Sequence, residues 1–120
     1  MKTPYDIKIE VFIPAAYSAR LLDALSKVDV GHIGNYDHCA SVTDVRGFWR
    51  PLDGADPFDG VVGQLSEAAE HKVEVNCRQE NVRAALNVIR NVHPYEQPVV
   101  NVIPLANALF DGENQENSRG

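Results

Sequence analysis

Apolar and polar residues alternate over IKIEVFI, residues 7–13, where Ile7, Ile9, Val11 and Ile13 interleave with Lys8, Glu10 and Phe12. That two-residue period predicts a strand with one buried face. Pro14 suits the first turn of a helix, and Tyr17, Leu21, Ala24, Leu25 and Val28 then recur along one helical face. This first helix should stop at GHIG, where Gly31 and Gly34 permit backbone angles that other residues resist. YDHCASVT, residues 36–43, is rich in β-branched and aromatic residues and predicts a second strand. DVRG can then turn the chain back into FWRPL, and LDGADPFDGVVG, with its glycines and a proline, predicts an irregular loop.

Alternation returns in HKVEVNCR, where Val73, Val75 and Cys77 mark a third strand. ENVRAALNVIRNV, residues 80–92, aligns Val82, Ala85, Leu86, Ile89 and Val92 on one helical stripe, with Glu80 near the positive end of the helix dipole. VVNVIPL predicts a fourth strand with apolar residues on both faces. The order β-α-β-β-α-β is that of a ferredoxin-like α+β fold, an antiparallel sheet with two helices on one face. Right-handed crossovers fix the strand order as 4-1-3-2. The other sheet face has no helix, yet Phe12, Val99 or Val100, and Ile103 place apolar side chains on both sides of strands one and four. A second copy of the chain is the expected cover. Residues 1–106 are read as the domain and 107–120 as a polar tail, disordered after Phe110.

The chain has 120 residues, enough for one core, and its 44% apolar and 23% charged content is that of a globular protein. A net charge of −6 without clustered Lys or Arg argues against nucleic acid as a partner. The N-terminal stretch breaks its apolar residues with Asp6, Lys8 and Glu10, and no run approaches the length of a membrane span. With two cysteines and no export signal, a cytoplasmic location with reduced thiols is expected.

Candidate chemistry concentrates in HPYEQP, residues 93–98. A residue before proline avoids the right-handed helical region, so His93 must leave the helix and Gln97 must be extended. If the whole segment is extended, His93, Tyr95 and Gln97 point one way and Glu96 the other. Two roles stand open: helix termination with Tyr95 packed on the sheet, or direct contact with a ligand or ion. The topology brings this segment beside the long excursion VRGFWRPLDGADPFDG, whose Trp49 and Arg50 join His93, Tyr95 and Glu96 as candidate ligand contacts. Phe48, Phe58 and Arg46 are further candidates for a contact surface.

Four histidines and two cysteines invite a metal, but no Cys-x-x-Cys or His-x-x-x-His spacing is present. His38 and Cys39, as strand neighbours, should point to opposite faces. An ion site shared between subunits, drawn from His38, His93 and Glu96, is the form that a divalent metal could take. No nucleophile accompanies a base in the topology, so no catalytic residue is assigned. Gly31, His32, Gly34 and Tyr36 form a motif to which the spacing gives no role.

GHIGNYDHC, then FWRPLDGADPFDGVVG, then HPYEQP resembles the inserted domain of the Nif-three-like dinuclear-metal hexameric proteins, the YqfO type, over about residues 5–105. HPYE is also similar to a stretch of the CutA divalent-cation-tolerance proteins, a weaker likeness. The resemblance implies a PII/CutA-like fold that forms trimers through open sheet faces. It also implies small ligands held in clefts between subunits, near residues corresponding to Phe48–Gly63 and His93–Pro98. In YqfO-type proteins the metals are held by domains flanking the insert, which this sequence lacks, so hydrolase activity does not carry over and the chain looks like the insert alone. The expected function is a non-enzymatic trimeric module that binds a small ligand, a divalent ion or a partner protein in a regulatory or sensing role. The alternatives are a purely structural assembly module and a metal-dependent hydrolase with a shared intersubunit site.

Overall fold

The fold is taken from a computed structural model that describes residues 5–110. The expected ferredoxin-like topology is present. Strand β1 spans Ile7–Pro14, a 3-10 turn spans Ala15–Tyr17, and helix α1 spans Ser18–Ser26. Strands β2 (Ser41–Trp49) and β3 (Ser66–Cys77) form a long hairpin, followed by helix α2 (Val82–Val92), strand β4 (Val99–Pro104) and a short helix α3 (Asn107–Phe110). All pairings are antiparallel and the sheet order is β2-β3-β1-β4, the order predicted from handedness.

The core lies between the sheet and its two helices. Ile9, Val11 and Ile13 of β1 meet Val73, Val75 and Cys77 of β3 on one face, and Leu21, Leu25, Ala85 and Ile89 close over them. Each large aliphatic side chain buried in this way contributes about 1.5–3 kcal/mol. His71 shares that face, with Nδ1 2.7 Å from Ser18 Oγ and Nε2 3.1 Å from Asp44.

Three expectations are corrected. YDHC is not strand: His38 has φ +56°, a left-handed conformation that ends any extended run, and β2 begins only at Ser41. His38 and Cys39 are therefore not strand neighbours. DVRG is not a turn, because β2 passes through Asp44–Gly47 in unbroken register with Ala68–His71. Strand β3 starts at Ser66, five residues earlier than the alternation in HKVEVNCR suggested, since Glu67, Ala68 and Ala69 favour helix locally and are held extended by pairing with β2, beyond the end of β1. At the start of the segment read as the polar tail, Asn107–Phe110 forms α3; residues 111–120, where disorder was expected, lie outside the described residues.

The face without helices is less apolar than expected. Phe12, Val99 and Ile103 do lie on it, opposite Lys72, Phe12 and Lys8 respectively. Between them Lys8 Nζ meets Glu74 at 2.9 Å and Asn101 donates to Glu10 at 3.3 Å. Apolar and charged positions thus share that face.

Candidate ligand-binding site

The long β2–β3 hairpin carries residues 50–65 back over the end of the sheet. Gly63 N–H donates to Pro51 at 2.8 Å and Ala55 N–H to Leu52 at 3.0 Å, so the excursion closes on itself. Trp49 Nε1 donates to the Asp59 carbonyl at 3.0 Å, which fixes the indole under the returning chain. Gly60 makes room for it: its φ is +111°, and a Cβ there would lie 3.1 Å from the indole nitrogen. The result is a cavity of about 390 Å³ between this excursion, the uncovered sheet face and the segment before β4.

Aromatic rings make its wall. Trp49 and Phe58 approach Tyr95 at 5.8 and 6.0 Å between centroids, and Phe12 and Val99 contribute the sheet side. Ring pairs at these distances add to simple area burial. In the apolar lining sits Glu70, only 6% exposed. Its Oε2 accepts the Tyr95 hydroxyl at 2.5 Å, and its carboxyl lies against Gly47, where a Cβ would stand 2.6 Å from Cδ and nearer still to Oε1. A glycine in a strand often marks such a close approach. Among the described residues, Tyr95 is the donor that reaches this carboxylate. Burial, with Glu70 beside it, holds the Tyr95 hydroxyl far above the usual phenol range, so it serves as a proton donor only.

The segment HPYEQP divides between two roles. His93 caps α2 in an extended conformation, as a residue before proline must, and is buried. Its Nε2 lies 2.6 Å from the Phe12 carbonyl and its Nδ1 accepts the Tyr95 backbone N–H at 3.2 Å. Because the carbonyl can only accept, Nε2 carries the proton, and burial lowers the pKa. His93 does not line the cavity. Tyr95, Glu96 and Gln97 all do, because the chain bends over 95–97 instead of running straight. The expectation that Tyr95 and Glu96 diverge is corrected on this point. Glu96 accepts the Asp56 N–H at 3.0 Å and so ties the excursion to this segment. Arg50 also lines the cavity, from an exposed position.

The remaining candidates lie elsewhere. His38 is exposed and bridges Asp37 and Asp23 at 2.9 Å each, which raises its pKa through those hydrogen bonds. It is not brought to His93 and Glu96 as part of a metal-binding group; among the described residues no three His, Cys, Asp or Glu side chains are arranged to hold an ion. Gly31, at φ +80°, packs against the Cys39 backbone, and Ile33 and Tyr36 pair through a tight turn at Gly34. His32 bonds Asp29 at 2.7 Å, so local contacts account for Gly31, His32 and Gly34, while the Tyr36 ring is exposed. The Ser18–His71–Asp44 chain has the composition of a catalytic triad, but Ser18, the first residue of α1, is buried and does not line the cavity described above. Both cysteines are free, and burial pushes the Cys77 thiol up to about 11.

Glu70 and Gly47 were not singled out in the sequence. The available signal was Gly47 itself, an interior strand glycine, had SVTDVRGFW been read as one strand.

The four-stranded antiparallel sheet with two helices on one face is the CutA/PII-like form of the ferredoxin-like fold. The CutA protein of Archaeoglobus fulgidus, described as a periplasmic divalent cation tolerance protein, superposes with a TM-score of 0.64 over 92% of this chain and 89% of its own, at 17% identity. Within that class, the chain is related over about four-fifths of its length to one segment of the Nif-three-like proteins. A Bacillus subtilis protein named GTP cyclohydrolase 1 type 2 homolog is 36% identical over 98 residues, which are 82% of this chain and 26% of that protein. A Mycobacterium leprae protein of the same name is 33% identical over 95 residues, 79% of this chain and 25% of its own. The crystal structure of a Bacillus cereus protein related to NIF3 superposes with a TM-score of 0.72 at 30% identity, covering 82% of this chain and 25% of that one. This chain thus spans about a quarter of the length of the curated relatives it matches. No protein-family model matches it.

Proposed function

We propose that the chain is a non-enzymatic module that self-associates as a trimer and binds a small organic ligand in the cavity beside Trp49, in a regulatory or sensing role. The observation that carries this reading is the buried Glu70 carboxylate set in an aromatic wall and held by Tyr95. A carboxylate kept from water costs stability unless its remaining acceptor capacity is used, and a ligand is the natural user. A divalent ion has less support, because both His93 nitrogens are engaged by backbone groups. The exposed edge strand β2 supports self-association: its end Arg46–Trp49 pairs with Ser66–Ala69 of β3 beyond the reach of β1, and a two-stranded ribbon is marginal in water. Most of the relatives' length lies outside the matched segment, and their activity is not carried to this chain.

The test is thermal unfolding of the purified chain against nucleotides, divalent ions and common metabolites, with its mass in solution measured alongside. A ligand at about 100 times its dissociation constant adds about 2.7 kcal/mol, and Trp49→Ala should remove that gain. A mass three times 13.2 kDa is expected. A single-chain mass, with no compound in the panel stabilising the protein, would overturn the reading.

A further inference from the structure

The chemistry of the cavity specifies its ligand more narrowly than size does. Its one buried charged group is an acid. Glu70 is 6% exposed and presents two oxygens, of which Oε2 takes the Tyr95 hydroxyl, and Oε1 lies over Gly47, which also lines the cavity. A carboxylate accepts about four hydrogen bonds and donates none. Arg50 is the cation on the lining, but it is exposed, and solvent screens an exposed charge far more than a buried one. Asp59 and Glu96 also line the cavity but, like Arg50, are exposed and screened, which leaves Glu70 as the charge that counts inside. The balance of charge felt inside the cavity is therefore negative, and the chain's net charge of −6 favours the approach of a cation. The rings of Trp49 and Phe58, 5.8 and 6.0 Å from that of Tyr95, line the cavity together with it and supply the π systems that attract a desolvated cation.

Resting on the reading of this cavity as a ligand site, we propose that its ligand is a small organic cation, an amine, amidine or guanidine with a flat or apolar body. Its N–H groups bond Glu70 Oε1, and its body lies against the Trp49 and Phe58 rings. An anionic ligand would instead meet the like charge of the buried Glu70 carboxylate.

Three isosteric probes separate the charge from the shape: benzamidinium, neutral benzamide and anionic benzoate. Trp49 is the single tryptophan, so its emission, excited where the probes do not absorb, reports on the cavity alone. With the full chain, benzamidinium should change that emission saturably, with benzamide at least about tenfold weaker and benzoate weaker again. Glu70→Gln keeps the shape and the Tyr95 partner, and should lower benzamidinium affinity by about tenfold to a hundredfold, to the level of benzamide. Since the comparison of three probes needs only the wild-type chain, misfolding of the variant would not spare the proposal. Benzoate binding as well as or better than benzamidinium would overturn the cation and leave the ligand cavity standing. If none of the three perturbs Trp49, the cation is overturned as well; the cavity reading then falls only if the broader ligand panel also produces no stabilisation.

Discussion

Replacing Gly47 by alanine tests the central contact of the cavity with a single methyl group. Gly47 is not in the left-handed region, so alanine brings no backbone strain and should by itself gain about 0.5–1 kcal/mol through the unfolded state. Against that gain stands a Cβ 2.6 Å from Glu70 Cδ. Carbon pairs rest at about 3.5–4.0 Å, so the carboxyl must move by roughly 1 Å. The 2.5 Å bond from the Tyr95 hydroxyl cannot survive such a shift unchanged. A hydrogen bond to a charged group is worth about 1.5–3 kcal/mol, which exceeds the alanine gain and leaves Gly47→Ala destabilising by about 1–2 kcal/mol. In a Glu70→Ala background the obstacle and the bond are both gone, and the same substitution should stabilise by about 0.5–1 kcal/mol. The two sites should therefore couple by about 1.5–3 kcal/mol. The assay is urea unfolding of the four proteins at one chain concentration, since self-association would otherwise shift the midpoints by mass action. Additivity within about 0.5 kcal/mol would refute the placement of Glu70 over Gly47.

Two further outcomes follow from named groups. Burial depresses the His93 pKa below its ordinary value of 6.5, so the unfolded chain binds the proton more readily, and stability from this residue is full above pH 6.5 and is lost as pH falls through the folded value. Urea unfolding across that window should show stability rising with pH, and His93→Gln should flatten the rise; His38, raised by Asp37 and Asp23, acts in the opposite sense, so His38→Asn should steepen it. Gly31→Ala combines φ +80° with a Cβ 2.9 Å from the Cys39 carbonyl and should cost about 1–3 kcal/mol in the urea midpoint, whereas Gly34→Ala, with nothing within 4 Å, should cost only about 1 kcal/mol. Equal costs at the two glycines would show that the Cys39 contact does not matter.

The parts of the fold that were legible are those where one face alone meets the core. IKIEVFI alternates because α1 and α2 cover one side of β1, and the stripe Val82–Val92 repeats because one side of α2 meets the sheet. Proline geometry, which is local, placed His93 correctly at the helix end. Strand β2 was misplaced because its first four residues are exposed on both faces and the half-buried face of the rest is only Val45, Gly47 and Trp49, so SVTDVRGFW shows no run of alternating apolar residues. The start of β3 was hidden for the complementary reason: Glu67, Ala68 and Ala69 favour helix, and it is pairing with β2, past the end of β1, that holds them extended. The cavity was half legible. Trp49, Arg50, Tyr95 and Glu96 do line it, but the acid at its centre depends on Gly47 and Tyr95, 23 and 25 positions away, and no spacing along the chain announces that meeting.

The charge pattern of the uncovered sheet face bears on how assembly and binding coexist. Phe12 and Val99 pair at the cavity end, while Lys8, Glu74, Glu10 and Asn101 form a polar network further along. Pressing that network against a second copy would strip water from groups whose exposed pairing is worth little, so the centre of this face is a poor place to associate. The edge strand β2 offers a better one: its outer backbone groups face no neighbour in the sheet, and pairing them costs no buried charge. Its outward Arg46–Glu67 pair lies on the other face of the hairpin from Glu70, because the two pairing positions, Gly47–Ala68 and Val45–Glu70, alternate with it. Association along β2 would stabilise the very hairpin from which residues 50–65 return to form the cavity. Copies joined there would rigidify the aromatic wall without filling it, so assembly would precondition ligand binding instead of competing with it.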